Sequence, residues 1–299
     1  MIIVMTGGTS GIGAETLQHF AKLPDTIVLV GARGRKRTVP EGTEVLPLDL
    51  SSLSSVRSFA ENIKKRLGNA KIDVLVLNAA IRATDNDQRS EEGFQLTFAT
   101  NHLAHYLLAR LLWPSMAKGS KIVITTSDTH DPAIVPFGPK TLNPGELAYP
   151  NENSPQGMRF YAATKLCNLL TARSLSTIST KDHRDIRVIA FNPGLTGGTS
   201  LMGKQSTFTK VLVTVFLRPL FHLVSIFIPF LYIGRVERAG KILAALALGQ
   251  ARVPEDKIYA SLVRGKLTFP DPSQLAQNND VRDLLWTESA VMVDLPDQV

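Results

Sequence analysis

The sequence predicts an α/β fold: one doubly wound parallel sheet in a three-layer α/β/α arrangement. Three observations carry this. Short apolar runs alternate with helix-length segments from residue 2 to residue 194, the pattern of parallel strands joined by crossover helices. The first run leads through a glycine-rich turn into a helix. Polar residues gather at the carboxyl ends of the runs, where such sheets bind ligands. With 299 residues and 44% apolar side chains, the chain can bury one large core, so a single domain over residues 1–299 is expected.

The first strand is 2–5, followed by Thr6-Gly7-Gly8-Thr9-Ser10-Gly11-Ile12-Gly13 and the helical "AETLQHFAKL". Strand, glycine turn and helix together cradle a pyrophosphate. Gly7 turns the chain tightly, Gly11 lets backbone approach the phosphates, and Gly13 lets helix and strand pack closely. The helix start adds free N–H groups and partial positive charge for the anion. This is a Rossmann-type dinucleotide site.

The second strand, "TIVLVGAR", ends in Gly31-Ala32-Arg33-Gly34-Arg35-Lys36-Arg37, with no acid until Glu41. A carboxylate here would bind a ribose 2′-hydroxyl, whereas an arginine suits a 2′-phosphate. NADP(H) is therefore the expected cofactor, with Arg33 at the phosphate. A solvated basic loop is the plainer alternative.

The remaining elements follow in order. Residues 44–50 read as a strand and 55–67 as an amphipathic helix opened by capping serines. A strand at 72–80 precedes a long helical stretch at 92–116. A strand at 121–128, a helix at 159–179 and a strand at 186–194 complete the alternation. After 236 come a helix, a strand-like stretch at 257–267 and a last helix ending at 293. Asp49, Asn78, Ser127 and Asn192-Pro193-Gly194 close the third to sixth strands. Tyr161 and Lys165 open the helix after the fifth, four residues apart and so on one face.

In combination, Thr6-Gly7-x-x-x-Gly11-x-Gly13, Asn78-Ala79-Ala80, Asn101, Ser127, Tyr161-x-x-x-Lys165 and Pro193-Gly194 resemble a classical short-chain dehydrogenase/reductase over about residues 1–200. The resemblance implies that Tyr161 exchanges the proton at the substrate oxygen. Lys165 would bind the nicotinamide ribose and lower the tyrosine pKa. Ser127 would hydrogen-bond the carbonyl, and Asn101 would hold a water in the proton path. Asp49 with Leu50 would bound the adenine pocket. Asn78, Ala79, Pro193, Gly194 and Thr196 would line the ribose and nicotinamide, while Thr9, Ser10 and Ile12 complete the phosphate turn. A phenol titrates near pH 10, so action near neutrality calls for about 4 kcal/mol of added phenolate stabilisation.

The stretches "EEGFQLTFATNHLAHYLLARLL" and "TKLCNLLT" resemble the branch that holds retinol dehydrogenases and protochlorophyllide reductases. Light-dependent protochlorophyllide reductases carry a cysteine after Pro-Gly, where this chain has Leu195, so that photochemistry is the lesser alternative. The expected reaction is NADPH-driven reduction of a carbonyl, or the reverse alcohol oxidation, on a bulky apolar substrate. A non-catalytic NADP sensor on the same fold would typically lose the tyrosine, lysine or serine, and all three are present.

Two segments are expected to choose the substrate. Residues 129–157 hold six prolines with no helical period and read as a pocket wall; His130 within them either faces substrate or, the preferred reading, stabilises the loop by a hydrogen bond. Residues 195–233 read as a lid. The apolar part, 208–233, is broken by Arg218-Pro219 and Pro229 into pieces of about 15 Å, half a bilayer core. A greasy lid, an interfacial patch with Lys204, Lys210 and Arg218 toward head groups, core helices and a homodimer interface all fit. A lid that also touches membrane is the expectation.

The net charge of +7 is scattered, apart from residues 33–37, which argues against nucleic-acid binding. One cysteine, Cys167, excludes an internal disulfide and a thiolate metal cluster, and is expected in the core. No metal is expected. With no leader evident before the first strand, a cytoplasmic protein is the expectation, with membrane contact through the lid.

Overall fold

The structure, a computed structural model, describes residues 1–34, 38–83, 85–197 and 232–296. β1 (Ile2–Thr6) leads into α1 (Gly11–Phe20), and β2 (Ile27–Ala32) and β3 (Thr43–Pro47) follow. α2 (Leu53–Leu67) crosses to β4 (Ile72–Leu77). Then come α3 (Leu96–Phe98), a π-helical turn (Ala99–Leu103), α4 (Ala104–Leu112) and β5 (Met116–Thr125). α5 (Pro144–Ala148) and α6 (Met158–Lys181) precede β6 (Arg187–Asn192). α7 (Val236–Ala247), β7 (Tyr259–Val263), β8 (Lys266–Thr268), α8 (Gln274–Gln277) and α9 (Asn279–Met292) end the described chain.

The strands form one sheet in the order β3-β2-β1-β4-β5-β6-β7-β8, parallel as far as β7. The fold is thus the doubly wound Rossmann type that the alternation predicts. Strand order reverses between β1 and β4, which opens a crevice beyond their carboxyl ends.

Side chains alternate between the faces of each strand, and both faces are covered. Ile2 and Val4 join one apolar core, while Ile3 and Met5 join the other. Leu75 and Leu77 oppose Val74 and Val76 in the same way. Such strands read as continuous apolar runs because neither face meets water. α2 buries Leu53, Val56, Phe59, Ala60 and Ile63 on one stripe. Ser52 caps it by accepting from Ser55 N, and Lys64, Lys65 and Arg66 complement its carboxyl end.

Several boundaries differ from the expectations. The stretch expected to be helical from 92 starts at Leu96, because the Gln95 carboxamide accepts from Thr97 N and Phe98 N and so caps it there. It ends before Trp113-Pro114, and Met116 already belongs to β5. The loop 129–157 holds a helix after all: Asn143 caps α5, with Pro144 at its first position. The strand-like 257–267 is a hairpin, β7 and β8 paired antiparallel. Its two-residue turn places Arg264 and Gly265 at φ 50° and 73°, the positive values a tight hairpin turn requires.

Candidate active site

The crevice is a cavity of about 840 Å³. Its floor is the turn from β1 into α1, where Gly7, Thr9, Ser10, Gly11, Ile12 and Gly13 line it. Gly7 has φ 68°, and a Cβ there would lie 2.7 Å from the Ala79 backbone. At Gly13 a Cβ would fall 1.8 Å from the Gly7 carbonyl oxygen, so the helix starts against its own turn with no room for a side chain. The Asn78 carboxamide fastens this turn by donating to Gly7 O (3.1 Å) and accepting from Thr125 Oγ1 (3.0 Å).

The α1 start fits a phosphate group. Its first turn holds no acidic residue, and the Ser10 hydroxyl at the N-cap bonds to no backbone amide of the helix. The helix therefore presents amide donors and partial positive charge to the cavity. At the far end Arg33, Asp49 and Leu50 line the wall with Gly31 and Leu48. The Asp49 carboxylate is held by Ser51, whose N–H and Oγ donate to it at 2.9 and 2.6 Å. Residues 35–37 of the basic run lie outside the described residues.

Ser127, Tyr161 and Lys165 line the opposite wall, with Asn78, Ala79, Pro193, Gly194 and Thr196 between. Tyr161 and Lys165 lie on the first turns of α6 and are both buried. Lys165 Nζ sits 5.4 Å from the Tyr161 ring centroid and donates to Thr125 O (3.2 Å). Burial lowers the Lys165 pKa to about 7. The Tyr161 phenol is pushed above its ordinary value, first by burial and then by the Asp128 carboxylate; Arg82 acts the other way. The chain's own groups, with no nicotinamide among them, thus hold this phenol above its ordinary range.

Ser127 caps a single 3-10 turn, Asp128–His130. Its hydroxyl accepts from Thr129 N (3.3 Å) and donates to Asp128 Oδ1 (3.2 Å). His130 is structural, as expected. Its Nε2 accepts from Ser273 N, so the proton is on Nδ1, which donates to Ser127 O at 2.7 Å.

Asn101 does not line the cavity. It lies in the π-helical turn, fully buried. Ile81 N donates to its Oδ1 (2.8 Å), and its Nδ2 donates to Ile81 O (2.9 Å) and Thr164 Oγ1 (3.1 Å). Thr164 Oγ1 in turn donates to Tyr161 O. The side chain ties the wall after β4 to the helix of Tyr161. Only its carbonyl reaches elsewhere, accepting from His105.

Three residues escaped the sequence reading. Asp128 and Arg82 line the cavity beside Tyr161. His105 sits behind the wall: Thr6 Oγ1 accepts from Asn78 N and Ala79 N, so its proton goes to His105 Nε2, and His105 Nδ1 then donates to Asn101 O. Asp128 adjoins Ser127 in sequence and could have been flagged from that. The other two follow only from the way β1, β4 and α4 meet.

The mouth of the cavity is apolar, with Ile81, Leu96, Val135, Phe137, Met158 and Leu195. Thr196 and Gly234 form a parallel bridge beside it, so both ends of the segment expected as a lid are tied to the rim. The part at 198–231, with the apolar stretch to 231 and Lys204, Lys210 and Arg218, lies outside the described residues. Among the described residues no helix is long and apolar enough to cross a membrane, and no cluster could hold a metal ion. Cys167 is buried in the core.

The family model described as short chain dehydrogenase matches residues 1–134. A WW domain-containing oxidoreductase of Danio rerio is 34% identical over 187 residues, 58% of this chain and 44% of that protein. The match thus spans less than half of that relative's length. A chloroplastic protochlorophyllide reductase of Cucumis sativus is 26% identical over 98% of this chain and 78% of its own. Retinol dehydrogenase 14 of Mus musculus is 28% identical over 75% of this chain and 67% of its own. A crystal structure of an uncharacterized protein from Mycobacterium paratuberculosis superposes with a TM-score of 0.71, covering 100% of this chain and 95% of that one at 24% identity, a likeness of fold. The glycine turn, the sheet order and these relatives agree: the chain has a Rossmann-type fold and is similar to the short-chain dehydrogenase/reductases of the branch with retinol dehydrogenases and protochlorophyllide reductases.

Proposed function

We propose that the protein uses NADP(H) to reduce the carbonyl of a bulky apolar compound, or to oxidise the corresponding alcohol, with Tyr161 exchanging the proton at the substrate oxygen. The observation that carries this reading is the buried pair on α6. Tyr161 and Lys165 share one wall of a cavity whose other end is the unblocked start of α1. When bound, the nicotinamide supplies the hydride; the chain supplies position and proton.

The α1 start and Ser10 would hold the pyrophosphate, Asp49 and Leu50 would flank the adenine, and Arg33 would meet a 2′-phosphate. Asn78, Ala79, Pro193, Gly194 and Thr196 would border the nicotinamide ribose, with Lys165 beside it. Ser127 keeps a hydroxyl at the wall with Tyr161; its proton, now given to Asp128 Oδ1, would turn to the substrate carbonyl oxygen as charge develops there.

The apolar mouth supports a bulky, greasy substrate. Leu195 stands on the wall, and the sole cysteine is in the core, so no thiol of this chain serves a light-driven C=C reduction.

The test is NADPH oxidation with a panel of apolar aldehydes and ketones, comparing wild type with Tyr161→Phe. Loss of the proton donor should lower kcat by about a hundredfold or more. Equal rates in the two proteins would remove the mechanism.

A further inference from the structure

The substrate half of the cavity is not uniformly apolar. Among its described lining residues Arg82, Asp128 and Lys165 can carry charge; Lys165 donates to Thr125 O, and Arg82 and Asp128 are not a pair. Asp128 is taken up by the Ser127 hydroxyl, and burial raises its pKa. Arg82 follows directly on Ile81, the residue clamped at both N–H and C=O by Asn101. Its backbone is therefore anchored, while its side chain is exposed at the rim. The hydrogen-bond partner of its guanidinium is the Met158 thioether, at 3.0 Å. A thioether is a weak acceptor, far short of what five N–H donors can use. Among the described residues Arg82 enters no ion pair.

From this placement we infer that Arg82 is an anion anchor, and that the preferred substrate is an apolar carbonyl compound carrying a carboxylate. The inference rests on the oxidoreductase reading of the same cavity and adds its substrate class. The geometry gives the substrate a direction. The apolar body lies against Val135, Phe137, Met158 and Leu195, the carboxylate stays at the rim on Arg82, and the carbonyl goes inward to Tyr161 and Ser127. A planar guanidinium matches a carboxylate with two parallel N–H···O bonds, which fixes orientation as well as charge.

Arg82 also bears on the phenol, since its charge favours ionisation of Tyr161. A carboxylate seated on Arg82 would offset that charge and keep the phenol protonated for delivery to the substrate oxygen. Binding of the anionic end and retention of the proton would then be linked.

The experiment compares ω-oxo fatty acids of several chain lengths with their methyl esters, in wild type, Arg82→Gln and Lys118→Gln. Lys118 is an exposed strand residue paired with Asp185, so its variant removes one charge away from the cavity. Wild type and Lys118→Gln should favour acid over ester by about tenfold or more in kcat/KM, chiefly through KM. In Arg82→Gln that ratio should fall to near one. A wild type that treats acid and ester alike overturns the inference while leaving the reductase reading in place, and so does a ratio unchanged in Arg82→Gln. Calorimetry with decanoate and decanol separates the two ideas. Should no aldehyde be turned over, tighter binding of decanoate by wild type than by Arg82→Gln keeps the anion site and rejects the reaction. Equal binding by the two rejects the anion site.

Discussion

Lys165 holds its ammonium nitrogen 5.4 Å from the Tyr161 ring centroid, one helical turn along α6, and both side chains are buried. The burial that serves the site works against the fold. A lysine whose folded pKa is about 7, against an ordinary 10.5, binds its proton less readily folded than unfolded. As pH falls from about 10 to 7, the unfolded chain takes up a proton that the folded chain refuses, so stability falls through that window. Lys165→Met should therefore be inactive yet melt higher at pH 7 without cofactor, by on the order of 2 kcal/mol or several degrees. The gain should shrink toward pH 10. Scanning calorimetry at the two pH values checks both statements, and a variant that melts lower at pH 7 contradicts them.

Acid should destabilise the protein through two buried histidines. His102 and His105 are held down to about 3, chiefly by burial; His105 adds to the effect at His102, and Lys165 adds to it at His105. Unfolded histidines charge near 6.5, so between 6.5 and 3 the unfolded chain binds more protons and stability falls as pH falls. Each contributes a slope of about 1.4 kcal/mol per pH unit. Asp128, raised by burial, works in the opposite sense, so variants are needed to isolate the histidines. In urea melts between pH 6.5 and 4.5, His102→Gln should flatten the dependence by about half. An unchanged slope would assign acid unfolding to other groups.

The glycine turn makes a sharper prediction. Gly13→Ala places a methyl group 1.8 Å from a backbone oxygen and 2.7 Å from the Asn78 carboxamide, and backbone cannot swing away as a side chain can. The first turn of α1 must shift, and with it the donors that would meet the pyrophosphate. The expected result is a loss of about 3 kcal/mol or more of stability, together with at least a tenfold weaker affinity for NADPH by fluorescence titration. Gly34→Ala, at an open position of positive φ, should cost about 1 kcal/mol and leave affinity in place.

What could be read from sequence divides along physical lines. α2 was legible because its apolar residues recur at helical spacing and Ser52 caps it. β1, β4 and the second half of β5 were legible because strands covered on both faces read as continuous apolar runs. α5 was missed because five residues give no period to count, and the β7–β8 turn because Arg264-Gly265 lacks the usual asparagine or aspartate. At the site, residues that line the cavity from strand ends could be placed by topology alone. Asn101 could not, since its inward turn depends on the π-helical step that shifts its side chain onto Ile81. His105 depends on the same step, four residues on.

The proposed preference for NADP(H) is tested at Arg33. Arg33 lines the end of the cavity that Asp49 and Leu50 also border, and Gly31, Ala32 and Gly34 beside it carry no carboxylate to repel a 2′-phosphate. Arg33→Ala should raise KM for NADPH by about tenfold while changing KM for NADH little, since a charge-assisted bond to phosphate has no counterpart in NADH. Steady-state kinetics with both cofactors at fixed aldehyde decides it. Equal effects on the two would place the phosphate elsewhere.

Asp128 sets the last prediction. Its carboxylate raises the Tyr161 pKa by like-charge repulsion with the phenolate, after burial the largest influence on that group. Asp128→Asn keeps an acceptor for the Ser127 hydroxyl, whose present bond to Oδ1 is 3.2 Å, but removes the charge. The phenol should then ionise at lower pH. In the reductive direction the protonated form is the active one, so the alkaline limb of kcat/KM should move to lower pH. In the oxidative direction the same variant should gain activity at neutral pH, because the phenolate that accepts the alcohol proton is more populated. Opposite shifts in the two directions are the signature of a charge acting on Tyr161. A uniform loss in both would mean that Asp128 serves only to hold Ser127 in place.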